Sequence, residues 1–209
     1  MRIDLKGEQF LLLKEYAAFW ENRNALLIAD LHIGKIAHFR KNGIPAPANA
    51  DKDNLWRLAD IILTHKPQQV IFLGDLFHSH LNAAWDVFVD FLRGFPKVEF
   101  VLVKGNHDIL PESLFIESGL KVVSELELRP FLFTHDASKT DLYNIHGHIH
   151  PGVSLRGTGR QRMTLPCFYF GLEFGVFPSF GAFTGLYKIK PVKEDRIFVS
   201  TGNEIVEVR

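Results

Sequence analysis

Three unbroken apolar runs punctuate the first half of the chain: Ala25-Leu26-Leu27-Ile28-Ala29, Val70-Ile71-Phe72-Leu73 and Phe100-Val101-Leu102-Val103. Runs without polar alternation are what strands show when both faces of their sheet are covered. Between them the period changes. From about Asn49 to Thr64, Leu55, Leu58, Ala59, Ile62 and Leu63 recur at helical spacing. Asn82 predicts the cap of a second helix, with Trp85, Phe88, Val89 and Leu92 on its apolar face and a stop at Gly94. A short helix is expected from Lys35 to Asn42, stopped by Gly43, with Pro45 and Pro47 enforcing a loop. Ahead of these, Leu11-Leu12-Leu13 and Ala17-Ala18-Phe19-Trp20 read as a strand pair with a turn at Asn22-Arg23-Asn24.

Phe131-Leu132-Phe133 is a further strand leading to Thr134-His135. Beyond His150 the pattern is short strands and turns. Val153 to Arg156 and Gln161 to Leu165 flank the turn Gly157-Thr158-Gly159, a hairpin signal. Thr184 to Ile189, Arg196 to Ser200 and Glu204 to Val208 continue it, with a tight turn at Thr201-Gly202-Asn203. Strand–helix alternation followed by strands alone predicts one α/β domain over residues 1–209, with two packed sheets.

Composition narrows the function classes. Hydrophobic residues make 46% of the chain and charged ones 23%, ordinary for a globular protein. Phenylalanine outnumbers tyrosine 19 to 4, which predicts aromatic packing between layers. Lys+Arg and Asp+Glu are both 24, so a nucleic-acid partner has to be held by a local basic patch. Cys167 is the single cysteine, which excludes an intrachain disulfide and points to a reducing compartment. The first residues are charged and alternating, unlike a secretory signal, and no apolar run is long enough for a bilayer. A cytoplasmic protein with no membrane contact is expected.

The candidate chemistry lies at the ends of the runs. They lead into Asp30-Leu31-His32, Gly74-Asp75 and Gly105-Asn106-His107-Asp108; His135 and His146-Gly147-His148-Ile149-His150 follow. If the strand continued, His146, His148 and His150 would share one side, and Gly147 would let the backbone bend so that His148 and His150 converge. The crevice outside the carboxyl ends of such strands is where α/β sheets bind ligands. Asp30, His32, Asp75, Asn106, His135, His148 and His150 make seven carboxylate, carboxamide and imidazole donors, a set suited to Mn, Fe, Zn or Ni. Seven is too many for one tetrahedral ion and about right for two that share a bridging carboxylate. Each piece alone also reads as a hydrogen-bonded turn. Their ordered placement after apolar runs favours metal, because buried charge has to be paired or metal-bound.

This ordered set resembles the signature of the calcineurin-like metallophosphoesterase superfamily, DxH…GD…GNH[DE]…H…GHxH, over residues 25–151. The resemblance implies two packed mixed β-sheets flanked by helices and two divalent metal ions, manganese foremost. Asp30, His32 and His150 would hold one ion, and Asn106, His135 and His148 the other, with Asp75 bridging. His107 would stand beside the phosphate and, with His78, donate to the phosphoryl or leaving oxygen, while Asp108 orients an imidazole. Imidazoles bind metal only when neutral, so activity is expected to fall in mild acid.

Gly74-Asp75-Leu76-Phe77-His78 departs from the GDxxDR of many phosphatases in this superfamily. It is similar to the SbcD-like repair nucleases, whose extra histidine also serves the site; their separate capping domain has no counterpart in these 209 residues. More closely, Ala29 to Lys35, Phe39-Arg40 with Gly43-Ile44-Pro45, and Leu165-Pro166-Cys167 resemble the ligase-associated DNA damage response endonucleases of the PdeM type. That resemblance implies a DNA endonuclease or phosphodiesterase acting in repair. Its implied partners are single-stranded DNA and a ligase or helicase, and a homo-oligomer is left open.

Two other readings stand beside it. One is a nucleotide or lipid-linked pyrophosphatase resembling the UDP-diacylglucosamine hydrolases, which carry an acid where this chain has His78. The other is a non-catalytic scaffold like the retromer subunit, which loss of metal ligands would mark; none is missing here. Lys35, Arg40, Lys139, Arg156, Arg160 and Arg162 are candidate phosphate-backbone contacts. Singly each reads as solvated surface, and the three arginines flanking the Gly157-Thr158-Gly159 turn are the better group. Only 26 residues separate Asp108 from His135, and 12 separate His135 from His148. Neither gap holds a large lid, so an open site for a long substrate is expected.

Overall fold

The three apolar runs become adjacent interior strands of a seven-stranded sheet. The structure is a computed structural model that describes residues 1–36, 39, 43, 47, 49–78, 80–157, 159, 161–182 and 184–208. Strands β1 (Arg2–Leu5), β2 (Glu8–Leu12), β3 (Ala17–Trp20), β4 (Ala25–Ile28), β5 (Gln69–Phe72), β6 (Glu99–Val103) and β7 (Leu120–Val123) pair in that order. The first three pairings are antiparallel and the last three parallel. Every residue of β4 is buried, because its alternate side chains find two different cores. Leu26 and Ile28 pack beneath the helices, whereas Ala25 and Leu27 face the other sheet. Two-sided burial removes the polar alternation that a solvated face would impose.

Helices α1 (Ala50–His65), α2 (Ala83–Arg93) and α3 (Glu112–Glu117) all bury residues in the first cluster, among them Leu58, Phe88 and Phe115. The Asn82 side chain caps α2 by accepting the Ala84 N–H at 2.9 Å, as its position predicts. The helix expected from Lys35 to Asn42 falls largely outside the described residues. No described helix is long and apolar enough to cross a membrane.

The second sheet has nine strands: β8 (Leu126–Leu128), β9 (Phe131–Phe133), β10 (Tyr143–His146), β11 (Pro151–Arg156), β12 (Arg162–Phe170), β13 (Phe174–Val176), β14 (Tyr187–Lys188), β15 (Arg196–Ser200) and β16 (Ile205–Val208). Its order is β14-β11-β12-β13-β10-β9-β8, with β15 on β12 and β16 on β15. Phe131, Phe133, Phe168 and Phe198 meet Trp20, Leu27, Ile71 and Val101 of the first sheet. Phe131 sits edge-on to both Phe10 and Trp20, at 5.4 and 5.2 Å. The fold is the α/β pair of packed mixed sheets that the sequence predicts. The described helices all lie on the first sheet. The outer face of the second closes over a small cluster of Val153, Cys167, Ile189, Ile197 and Val199 instead.

Strands β9, β10 and β13 run parallel, so their carboxyl ends emerge together and meet those of β4, β5 and β6. Cross-sheet hydrogen bonds fix that meeting. The His148 N–H donates to Asp30 Oδ2 at 3.0 Å, and His135 Nδ1 lies 3.1 Å from the Leu73 carbonyl.

Candidate metal centre

All seven expected ligand side chains converge on this junction. Asp30 and His32 follow β4, Asp75 follows β5, Asn106 follows β6, His135 follows β9, and His148 and His150 follow β10. Asp30, His32 and His150 offer ligand atoms within 4.8 Å of one another, and so do Asp75, His135 and His148. His32 Nε2 lies 3.3 Å from His150 Nε2. His135 Nε2 lies 3.0 Å from His148 Nδ1 and 2.8 Å from Asn106 Oδ1. Two nitrogens held at about 2.1 Å from one divalent ion stand roughly 3.0–3.4 Å apart, so both histidine pairs are spaced as co-ligands. Asp75 reaches both groups, with Oδ1 3.3 Å from His135 Nε2 and Oδ2 3.9 Å from His32 Nε2.

The protonation state suits the same role. Burial, and then Lys35 and the neighbouring imidazoles, hold the His32 pKa far below the ordinary imidazole value. Its Nδ1 is buried without a hydrogen-bond partner. A neutral ring is the form that binds a cation. The donor set and its spacing fit two divalent ions.

The backbone bends to make this convergence. Nine described non-glycine residues have positive φ, and five of them are Asp30, His32, Asp75, His148 and His150. Left-handed backbone at such residues costs on the order of 1–3 kcal/mol each, and it concentrates here at the candidate ligands. It also corrects the picture of three histidines on one side of a strand. β10 ends at His146, whose side chain faces a separate cavity of about 480 Å³ with Asp136, Lys139 and Glu173, while the turns aim His148 and His150 at the centre. Two glycines are fixed by the ligands themselves. A Cβ on Gly74 would lie 2.2 Å from His135 Nδ1, and one on Gly147 would lie 2.6 Å from Asp30 Oδ2.

A further segment, with no ligand-type residue to signal it, braces the Asp30 turn. Ser179 Oγ and the Gly181 N–H both donate to the Asp30 carbonyl, at 2.8 and 3.0 Å, and the Phe180 N–H donates to the Ala29 carbonyl at 2.8 Å. Arg57 of α1 lies 4.1 Å above the Phe180 ring and donates to the Phe180 carbonyl. The signal available in the sequence was the Gly- and Pro-punctuated apolar run Gly175 to Gly181.

The non-ligand residues divide. His107 donates its N–H to Asp75 Oδ1 at 2.9 Å and leaves 45% of its side chain exposed. Its ring lies 4.1 Å from that of His78, which in turn meets His32 edge-on at 5.1 Å. His78 therefore lies in ring contact with His32 and His107. Asp108 does not orient an imidazole. Its two carboxyl oxygens accept the Phe77 and Gly105 N–H groups at 2.9 and 2.8 Å, so it ties the loop after β5 to the loop after β6. Burial raises its pKa to about 6 against the pull of those two hydrogen bonds.

Lys35 is half-buried beside the site: burial lowers its pKa, and Asp75 and Asp30 pull it back up. Lys139 lines the separate cavity rather than the centre. Arg156 and Arg162 face each other across β11 and β12, on the hairpin beyond His150. Arg40 and Arg160 lie outside the described residues.

Residues 24–193 match the family model of the calcineurin-like phosphoesterases. The chain belongs to that family. Among solved structures, this calcineurin-like phosphoesterase is similar to a nuclease of Pseudomonas putida, MPE. The two share 31% identity over 100% of this chain and 99% of that one, with a TM-score of 0.84. A phosphoesterase of E. coli, Yfce, shares 16% identity over 88% and 97% of the two chains at a TM-score of 0.45, too distant to carry an argument. No curated protein matches the chain. Family and geometry together make this a metal-dependent phosphoesterase with two candidate metal sites.

Proposed function

We propose that this phosphoesterase is a phosphodiesterase that cleaves DNA strands. The observation that carries the reading is the His78–His107 pair, two imidazoles in contact at the rim of the centre. A phosphodiester carries one negative charge where a monoester carries about two near neutral pH. Imidazole donors match the smaller charge, and among the described residues Lys35 places a cation beside Asp30 and Asp75. The full-length similarity to the Pseudomonas putida nuclease supports the same reading.

In this proposal Asp30, His32 and His150 would hold one divalent ion and Asn106, His135 and His148 the other, with Asp75 the ligand they would share. Such a pair of ions, when bound, lowers the pKa of a shared water and neutralises charge developing on the phosphate oxygens. The chain's own residues supply position and protons. Asp75 anchors the His107 backbone, and the half-exposed ring lies beside those of His32 and His78. There it donates a proton or hydrogen bond, with His78 packed behind it as a second donor. Manganese is the ion proposed. By the resemblance described above, the reaction belongs to DNA repair in the cytoplasm, alongside a ligase or helicase.

The test is hydrolysis by the manganese-loaded protein of bis-p-nitrophenyl phosphate, p-nitrophenyl phosphate and single-stranded DNA. The diester is expected to turn over faster than the monoester, and the DNA to be cut. Faster turnover of the monoester would overturn the proposal in favour of the phosphatase or pyrophosphatase reading.

A further inference from the structure

The β11–β12 hairpin leaves the metal centre directly from His150, and its register sorts its side chains onto two faces. Phe168 and Phe170 of β12 lie in the core between the sheets, whereas Cys167 lies in the outer cluster. Counting back by twos along the strand, Thr164 and Arg162 share the inter-sheet side with Phe168. Their register partners Ser154 and Arg156 share that side too, as does Lys188, which pairs with Gly152. The Ser154 and Thr164 hydroxyls meet at 3.0 Å, as residues on one face must. Past the end of the core, then, the inner face of the second sheet continues as Lys188, a hydroxyl pair and two arginines. Leu186 lies over Gly152 on this side, while Ser154, Arg156, Arg162 and Lys188 are all exposed.

Arg156 stands directly opposite Arg162. Like charges facing each other across strands destabilise the pair. Among the described residues, neither guanidinium has an acidic or hydrogen-bonding partner that would offset the repulsion. A solvated hairpin has no need of this arrangement, whereas an anion seated between the two arginines would satisfy it.

We propose that this face is a track for the phosphodiester backbone of a nucleic-acid strand, leading from the metal centre to the Arg156–Arg162 pair. The proposal rests on the phosphodiesterase reading and adds a length to the substrate. Arg156 is six residues on from His150. At about 3.3 Å per residue the track runs roughly 20 Å. A strand with one phosphate per 3.4 Å of axis covers that distance in about six nucleotides. Among the described residues the track offers cations and hydroxyls to phosphates, so it is indifferent to sequence.

The experiment compares the full-length chain with its R156Q/R162Q variant, using fluorescent oligothymidylates shorter and longer than about six nucleotides. Anisotropy in chelator measures binding across a salt series, and kcat/KM is measured separately with manganese. For the wild type, affinity is expected to step up once the strand exceeds that length. In the variant the step disappears, and the log–log salt slope becomes shallower by about 1.4, the value for two lost single-strand phosphate contacts. Its unfolding temperature is expected to stay at or above that of the wild type, because a like-charge pair has been removed.

A wild type without a length step, or a variant with the same step and slope, would overturn the track. So would a lower unfolding temperature in the variant, since the arginines would then be structural. If the wild type shows the step yet cuts no DNA, the track stands and the proposed function falls. If it cuts DNA while the variant binds identically, the reverse holds.

Discussion

His107 differs from the other motif histidines in what holds it. Its backbone N–H is bonded to Asp75, while its ring contacts His78 and His32 and lies 4.0 Å from the nearest Asp75 oxygen. A donor of that kind acts mainly on charge that develops in the transition state, and losing one typically lowers kcat by about 10²–10³. The His107→Ala variant is therefore expected to keep its full metal content and fold while losing turnover by that factor. His148→Ala is expected to lose an ion as well. Steady-state kinetics paired with elemental analysis separates the two roles, and a His107→Ala protein with near-normal kcat or a missing ion would refute the assignment. At this scale the identities of the donors were legible in the sequence, because carboxylate, carboxamide and imidazole stand in order after apolar runs. Their direction was not. Asp108 follows His107 in the chain, yet its carboxylate turns to two backbone amides, and sequence adjacency carries no information about where a side chain turns.

At the scale of elements, two carboxylates hold the loops of the centre in place. Removing Asp108 leaves the buried Phe77 N–H and the Gly105 N–H without an acceptor, at about 1–3 kcal/mol per unsatisfied group. Asp108→Ala is expected to lose at least that much stability in urea titration of the chelated protein. Asp108→Asn, which keeps one acceptor oxygen, is expected to lose less; an alanine variant as stable as the wild type would contradict the brace. Asp51, in the first turn of α1, accepts the Gly34 N–H at 3.2 Å and so ties that helix to the Asp30–His32 turn. Burial raises its pKa from 3.8 to about 6, only partly opposed by that hydrogen bond. A carboxyl of this kind holds, in the folded state, a proton that the unfolded chain has already released. Its contribution to stability is therefore greatest below about pH 4 and declines as pH rises through 6. Comparing unfolding temperatures of the chelated wild type and Asp51→Asn across pH 4 to 7 is expected to show the variant gaining relative stability with pH; a constant difference would exclude the shift.

The elements themselves were legible where periodicity was long. α1, α2 and strands β4, β5 and β6 match their predicted bounds within a residue or two, because repeated apolar positions report directly on burial. α3 has six residues, too few to display a period, and went unseen. β10 has no apolar run to mark its bounds because it buries Asn144, whose amide donates to the Leu132 carbonyl and to Thr134 Oγ1; those partners exist only once the strands are paired.

For the molecule as a whole, the centre is where two sheets are joined. Its candidate ligands come from five strand ends, three in the first sheet and two in the second, and Asp75 turns one oxygen toward a histidine of each group. Two-sheet architecture was legible from the switch between strand–helix alternation and strands alone. The placement of the described helices on one sheet was not, since apolar periodicity fixes which face of a helix is buried and not which sheet buries it. A dinuclear centre requires Asp75 to serve two ions rather than one. Elemental analysis of the manganese-reconstituted protein tests this directly, with the wild type beside Asp75→Asn. The account predicts two ions per wild-type chain and fewer in the variant. At most one ion in the wild type, together with an unchanged content in Asp75→Asn, would contradict it.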